Sequence, residues 1–299
     1  MGAWKGGYRG RMVEFRAATA DDAGEVYELL AARSRAAFGV SELSLEAVES
    51  DFERIGADRW VAADAGRLIG FAQLSSSHEL VLAAGDPALA DELLARAEDR
   101  AREHGYEAIE ATVVPEDVPF HALVTRSGFE QDREVLRMWR VLDGDLPEPS
   151  WADGARVRTY EDGDARRVHA LLDDAYTGWD AHFVPLGHDE WLAFMTEHEE
   201  FDPRLWFLVE RDGELVACGL HWKEYQQRGW VKDLVVRTDA RGAGLGKALL
   251  HHGFRAYACR DADRVGLKVD SANPTGAVQL YERVGFETDR RYGVWRKQL

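Results

Sequence analysis

Cysteine is nearly absent: Cys218 and Cys259 are the only two in 299 residues, and they form no CxxC pair. So sparse a set excludes a disulfide scaffold and fits a reducing, cytoplasmic setting. Long apolar runs are missing as well. No stretch approaches the roughly 18 residues needed to cross a bilayer, so no membrane association is expected. Positive charge is in deficit, with 37 Lys and Arg against 54 Asp and Glu and a formal net charge of −17. That balance repels nucleic acid and anionic surfaces and favours cationic or amine-bearing partners. Metal-ligand patterns are lacking too. His251 and His252 of "LLHHGF" are adjacent and do not converge on one ion, and no HExxH or Cys/His cluster occurs, so no metal is expected.

What is present is a globular composition, 45% apolar, in a chain long enough for two domains. The opening "MGAWKGGYRGRM" carries Lys5, Arg9 and Arg11 without an apolar core, which argues against a signal peptide. It reads as a flexible tail, with Met12 a plausible second start. Residues 142–154, "LDGDLPEPSWADG", have the composition of a linker, which sets expected domains of 13–144 and 154–299.

The flanks of that linker resemble each other. "FRAATADDAGEVYELL" and "VRTYEDGDARRVHALL" share Arg16/Arg158, Asp22/Asp164 and Val26/Val168, each a short strand entering a helix. "RWVAADAGRLIGF" and "LWFLVERDGELVACGL" both read as hairpins. "LVTRSGFEQDR" matches "LYERVGFETDR", with Gly128/Gly285 and Phe129/Phe286 in register. The offset grows from 142 at the first helix to 149 at Gly70/Gly219 and 157 at Phe129/Phe286. Most of the shortfall lies where the second copy carries "RGAGLG" and the first reads "ELVLAAGDPALADELLARAE". A repeat this long is a duplicated domain, one copy of which has lost a glycine loop.

In the second copy the pattern predicts strands near 156–159, 206–211, 215–223, 230–236 and 265–269, then two final strands. Helices are predicted near 164–176, 188–197, 244–260 and 275–283. The fold class is therefore α/β, a mixed sheet with helices on both faces, present twice in tandem.

The stretch "RGAGLGKALL", residues 241–250, sets permissive glycines against a helix N-terminus, a natural anion site. A P-loop fails at both ends, because Arg241 stands for its first glycine and Ala248 for its hydroxyl. The dinucleotide fingerprint misses by a residue, since Gly242, Gly244 and Gly246 run G-x-G-x-G. A strand-to-helix turn that binds nothing remains open on these residues alone.

Arg241, Gly244 and Gly246 do match Arg/Gln-x-x-Gly-x-Gly/Ala, and here the chain resembles the GCN5-related N-acetyltransferase (GNAT) family. The resemblance implies a tandem of two such domains, the N-terminal one degenerate, with acetyl-CoA as cosubstrate. It places the pyrophosphate on the amides of Arg241, Gly242, Ala243, Gly244, Leu245, Gly246 and Lys247, and the pantetheine arm along Leu234, Val235 and Val236. "NPTGAVQLYERVGF" resembles the family's Asn-x-x-Ala-x-x-Leu-Tyr-x-x-x-Gly-Phe segment through Asn273, Ala277, Leu280, Tyr281, Gly285 and Phe286. One extra residue separates Asn273 from Ala277, a departure from the family's spacing, and the resemblance makes Asn273 a contact to the coenzyme arm.

Acetyl transfer to an amine needs a base, stabilisation of the developing oxyanion and an acid for the departing thiolate. The resemblance gives the acid to Tyr281. A core tyrosine is the competing reading, but Val124 holds the matching place in the first copy, so packing alone does not demand a phenol. The family's strand glutamate falls at Trp230. Asp233 is a candidate for the base, although strict alternation turns it away from Trp230, Lys232 and Leu234. Asp180, His182, His188, His221 and Glu224 are other groups within possible reach of an acceptor. Among the tryptophans 179, 191, 206 and 222, any could line a pocket for an amine, Trp206 being better suited to the core. The expected activity is acetyl transfer to the primary amine of a small molecule. Acetylation of protein N-termini or lysines, and coenzyme binding without turnover, are the alternatives.

Overall fold

The computed structural model describes residues 4–8, 11–41, 43–53, 56–177, 185–225 and 228–299. Its elements, in order, are β1 (Trp4–Tyr8), β2 (Arg11–Ala17), α1 (Ala23–Phe38), α2 (Leu45–Glu53), β3 (Ala57–Asp64), β4 (Arg67–Ser75), β5 (Leu80–Ala84), α3 (Pro87–Glu103), β6 (Ala108–Val113), α4 (Val118–Arg126) and β7 (Glu130–Val141). The second copy supplies β8 (Arg156–Thr159), α5 (Ala165–Thr177), α6 (His188–Thr196), β9 (Trp206–Arg211), β10 (Glu214–Tyr225), β11 (Arg228–Val236), α7 (Leu245–Ala258), β12 (Arg264–Asp270), α8 (Ala277–Arg283) and β13 (Glu287–Gln298). Both copies are mixed α/β, and the repeated order is the one the repeated motifs predict.

Two compact units result, Met1–Glu134 with Tyr292–Leu299, and Val135–Arg291. The division follows exchanged strands instead of the 142–154 segment. Gly293–Gln298 at the end of the chain pairs antiparallel with β6 and completes the first unit. Val135–Val141 of β7 pairs antiparallel with β12 and completes the second. The proline-containing segment is docked: Leu142, Leu146 and Trp151 pack on the second unit's core, and Arg255 of α7 pairs with Glu148 at 2.9 Å. Two further expectations are corrected. The opening read as a tail forms β1, paired antiparallel with β2. The two final strands are one continuous strand, with Gly293 extended within it.

Each unit buries apolar side chains on both faces of its sheet. In the second, Val168, Leu172, Trp191 and Trp206 form the core beneath α5 and α6, while Leu249, Phe254, Tyr257 and Phe286 form the core beneath α7 and α8. The shared Arg/Asp pairs lock the entry of the first helix in both. Arg16 donates twice to Asp22 at 2.7 Å, and Arg158 donates to Asp164 at 2.6 and 2.7 Å. Each carboxylate also accepts from a main-chain N–H three residues back, that of Thr19 or Glu161. Asp164 is buried, so losing it leaves a guanidinium and an amide without their acceptor. Asp164→Ala should therefore destabilise the second unit by about 2–3 kcal/mol, read as a lower urea midpoint.

Candidate active site

The central feature is an incomplete strand pair. β11 lies parallel to β12 only from Arg228/Arg264 to Trp230/Gly266, and beyond that point the strands diverge. The edge of Val231–Val236 that faces β12 consequently carries main-chain N–H and C=O groups with no strand partner among the described residues, a ready edge for an extended ligand. Trp230 sits at the apex. Its ring meets Trp139 edge-on at 5.6 Å, and Gly266 is small because a Cβ there would collide with both indoles.

On its other side β11 pairs with β10, and the register slips: Leu220 faces Asp233, His221 faces Val231, and Lys232 is the extra residue of a bulge. The bulge reverses the faces expected from simple alternation. Trp230 and Val235 join the core under α5, as does Tyr176, which bonds Asp233. Val231, Leu234 and Val236 belong with α7 and α8. Asp233 therefore shares the Trp230 face after all, a correction to the strict-alternation reading.

The glycine loop stands at the start of α7. Gly242 and Gly244 have φ of 81° and 78°, left-handed values that other residues adopt at a cost, and a Cβ on either would meet nothing within 4 Å. Arg241–Gly244 and Lys247 are exposed, while Leu245 is buried and anchors the turn. No side chain caps the helix at Gly244, and the first bond into the helix runs from Ala248 N–H to Gly244 O at 3.0 Å. An uncapped helix N-terminus, an open concavity and two exposed cations suit a polyanion such as a diphosphate. Arg241 Nε donates to Val236 O at 3.1 Å, tying the loop to the end of β11. The matching end of α3 is already satisfied: Asp86 accepts from Ala88 N–H at 2.9 Å, and Pro87 removes a donor.

Tyr281 of α8 is buried at 7% exposure, with its ring against Phe286 at 5.7 Å. No described residue hydrogen-bonds its hydroxyl, and burial, with a smaller push from the Asp233 carboxylate, holds its pKa above the usual phenol value. Asp233 is itself 8% exposed and accepts a hydrogen bond from the Tyr176 hydroxyl at 2.5 Å. Burial first and Asp233 second raise the Tyr176 phenol and also the thiol of Cys218. One carboxylate is thus ringed by neutral, protonated groups, with Lys232 Nζ at 3.7 Å. Tyr176 is the residue the sequence reading missed. Its signal was the apolar spacing Val168, Leu172, Tyr176, which puts it on the buried face of α5.

The remaining candidates scatter. Asp180, His182 and Trp179 lie outside the described residues, as does the side chain of Glu224. Asn273 Oδ1 accepts from the N–H of Thr275 at 2.9 Å and so shapes the turn before α8. His188 opens α6, its ring 5.5 Å from His169. Trp191 and Trp222 belong to the core under α5 and α6, the latter stacked on His198 at 4.7 Å. Two substrate candidates are corrected to core residues. Trp206 is 0% exposed among Tyr160, Trp191 and Phe201. His221 is also 0% exposed, between Phe207 and Tyr257, and Gly253 leaves no room for a Cβ beside its ring.

Neither ring nitrogen of His221 has a hydrogen-bond partner, and burial lowers its pKa from 6.5 to about 3. The unfolded chain protonates there first as pH falls, so stability is full above about 6.5 and drains away toward about 3. His221→Phe should remove that contribution, shifting the acid-unfolding midpoint to lower pH in a circular-dichroism titration while the KM values stay unchanged.

Comparison with known proteins gives the family and the fold. The profile of the acetyltransferase (GNAT) family matches residues 165–286, which span the seam, the glycine loop and Tyr281. The mycothiol acetyltransferase of Streptomyces coelicolor is 32% identical over 77% of this chain and 77% of its own. That of Kineococcus radiotolerans is 36% identical over 89% and 91%. Among solved structures, a GCN5-related N-acetyltransferase from Sphaerobacter thermophilus superposes with a TM-score of 0.77 at 26% identity, covering 96% of this chain and 95% of that one. A tandem GNAT protein from the clavulanic acid biosynthesis pathway gives a TM-score of 0.74 at 18% identity, covering 96% and 98%, and so shares the fold in its doubled form. This chain belongs to the GNAT family and is a tandem acetyltransferase.

Proposed function

We propose that the second half of the chain, 154–299, transfers the acetyl group of acetyl-CoA to the primary amine of a small molecule by direct attack of the amine on the thioester. The observation that carries this reading is the seam between β11 and β12, with Asp233 on one face and Tyr281 on the other. In this reading the diphosphate rests on the amides of 241–247, and the pantetheine arm adds to the free edge of Leu234, Val235 and Val236, with Asn273 beside it. The bound coenzyme supplies an activated acyl group. The chain's own residues do the rest. Asp233 attracts the ammonium form of the acceptor and accepts its proton, freeing the lone pair. A main-chain N–H of Leu234 or Val235 polarises the carbonyl. Tyr281, kept protonated by burial, gives its proton to the departing sulfur.

A small acceptor is supported by the relatives, whose name ties their acetyl transfer to mycothiol, and by the surplus of acid, which favours an amine. Trp230, at the place where many members of the family carry glutamate, separates this chain from a base at that position. The first half, 13–144, is read as degenerate and without coenzyme, and the setting as cytoplasmic, away from membranes and nucleic acid. No helix among the described residues is long and apolar enough to cross a membrane.

Tyr281→Phe should lower kcat by about 10²-fold or more with the Kd for acetyl-CoA unchanged, measured by release of free coenzyme thiol with a panel of amines. Because the Tyr281 pKa is raised, single-turnover rates should show no loss of the acid form up to pH about 10. Asp233→Asn should depress kcat/KM for the amine by roughly 10²–10³-fold. Undiminished turnover in either variant would remove that residue from the reaction. Titration calorimetry should count one coenzyme per chain; two would overturn the reading of the first half.

A further inference from the structure

The first unit contains a cavity of about 410 Å³ under α1 and α2, against β4–β6. Leu30, Phe38, Phe52, Phe71 and Val81 are among its walls, and Leu43, 42% exposed, also lines it. We propose that this cavity is a binding site for a neutral aromatic small molecule, held by the first unit without any group transfer.

The duplication shows why the space exists. In the second unit Trp222 pairs with Trp230 across β10 and β11; the corresponding pair across β4 and β5 is Gln73 with Val81. The helix offset set by Val26/Val168 places Ser34 of α1 where α5 has Tyr176. Tyr176, Trp222 and Trp230 pack together in one aromatic core. Their counterparts are a hydroxymethyl, an amide and an isopropyl group, and all three line the cavity. Three aromatic side chains are thus replaced by small or slender ones, while Phe38, Phe52 and Phe71 keep apolar walls around the space they vacate.

The same unit has closed the route by which a coenzyme would reach this space. Among the described residues a single parallel bridge, from Glu79 just before β5 to Glu110 of β6, links the two strands, and no ladder continues beyond it, much as β11 and β12 part. Arg33 of α1 fills that opening. Its Nη1 donates to Leu82 O at 2.5 Å, its Nε pairs with Asp117, and its guanidinium lies over Phe120 at 4.1 Å. With Leu82 O engaged, Arg33 blocks the edge along which a pantetheine arm would add. The helix end below is capped by Asp86. A ligand here meets no acyl donor, so binding is the whole event.

Charge sets its class. The ionised residues of the wall are Arg33, Asp117 and Asp51, and each is already paired, Asp51 with Arg59 at 3.3 Å. Gln73 accepts from Arg59 Nε at 2.8 Å, and Ser34 donates to Val40 O at 3.1 Å. A charged ligand would be desolvated against groups whose partners are taken, whereas an uncharged ring system loses nothing by entering.

The test is a fluorescence titration of the full chain with N-phenyl-1-naphthylamine, a neutral aromatic probe, in the presence and absence of saturating acetyl-CoA. The expected result is one saturable site per chain, insensitive to acetyl-CoA. Ser34→Tyr and Val81→Trp, which install the rings of the second unit, should each weaken it by roughly tenfold or more, with acetyl transfer and the unfolding midpoint unchanged. Ala37→Val narrows the same cavity more gently and should weaken binding where a larger ring unfolds the unit. Absence of saturation, competition by acetyl-CoA, or equal binding in the wild type and every folded filling variant would overturn the proposal. Equally tight binding of 8-anilinonaphthalene-1-sulfonate would overturn the neutral class.

Discussion

The site depends on β11 and β12 separating beyond Trp230 and Gly266. A parallel pair hydrogen-bonded along its full length would bury the edge of β11 and leave nothing for an extended ligand to join. Separation has a cost, because main-chain groups lose their partners at the centre of a sheet. Trp230 and Trp139, packed over Gly266, fill the apex where the gap begins. In the proposed reaction the glycine loop and Tyr281 acquire their meaning from that gap, since an extended coenzyme could join the sheet nowhere else on β11.

Duplication supplies an internal control for which features are structural. The Arg/Asp lock at the first helix and the order of strands and helices persist in both copies, as the frame requires. What differs lies at the opening. One copy leaves its helix end uncapped and its strand edge free; the other caps the helix with Asp86 and seals the edge with Arg33. Uncapped amides and an unpaired edge are each unfavourable in the absence of a ligand, and the first copy avoids that cost by satisfying such groups from within.

Much of this was legible in the sequence because local signals and tertiary structure agree. The repeat, the hairpins, the helix after "RGAGLG" and the helix that carries Tyr281 follow from periodicity and motif spacing, whereas the face of Asp233 does not. Strand exchange was not legible: β7 and β13 read as ordinary terminal strands, and which sheet a strand completes is settled by contacts far along the chain. The opening strand was hidden by its glycines. Tyr176 was visible as a buried-face residue of α5, but its bond to Asp233 needs the bulge at Lys232, and pairing register between distant strands leaves no local signature.

That bulge also decides how the two candidate groups, Asp233 and Tyr281, are divided. An aromatic residue at the apex leaves no carboxylate at Trp230, and without a slip in register Asp233 would lie with Leu234's neighbours under α7, on the same side as Tyr281. A base and an acid on one face would compete for one volume and, buried close together, for one proton. The extra residue sends Asp233 beneath α5, where Tyr176 holds it, and leaves Leu234 and Val236 with Tyr281. In the reaction proposed above, an amine would be served from the α5 side of the strand edge and a thiolate from the α8 side, with both reactants held at one point.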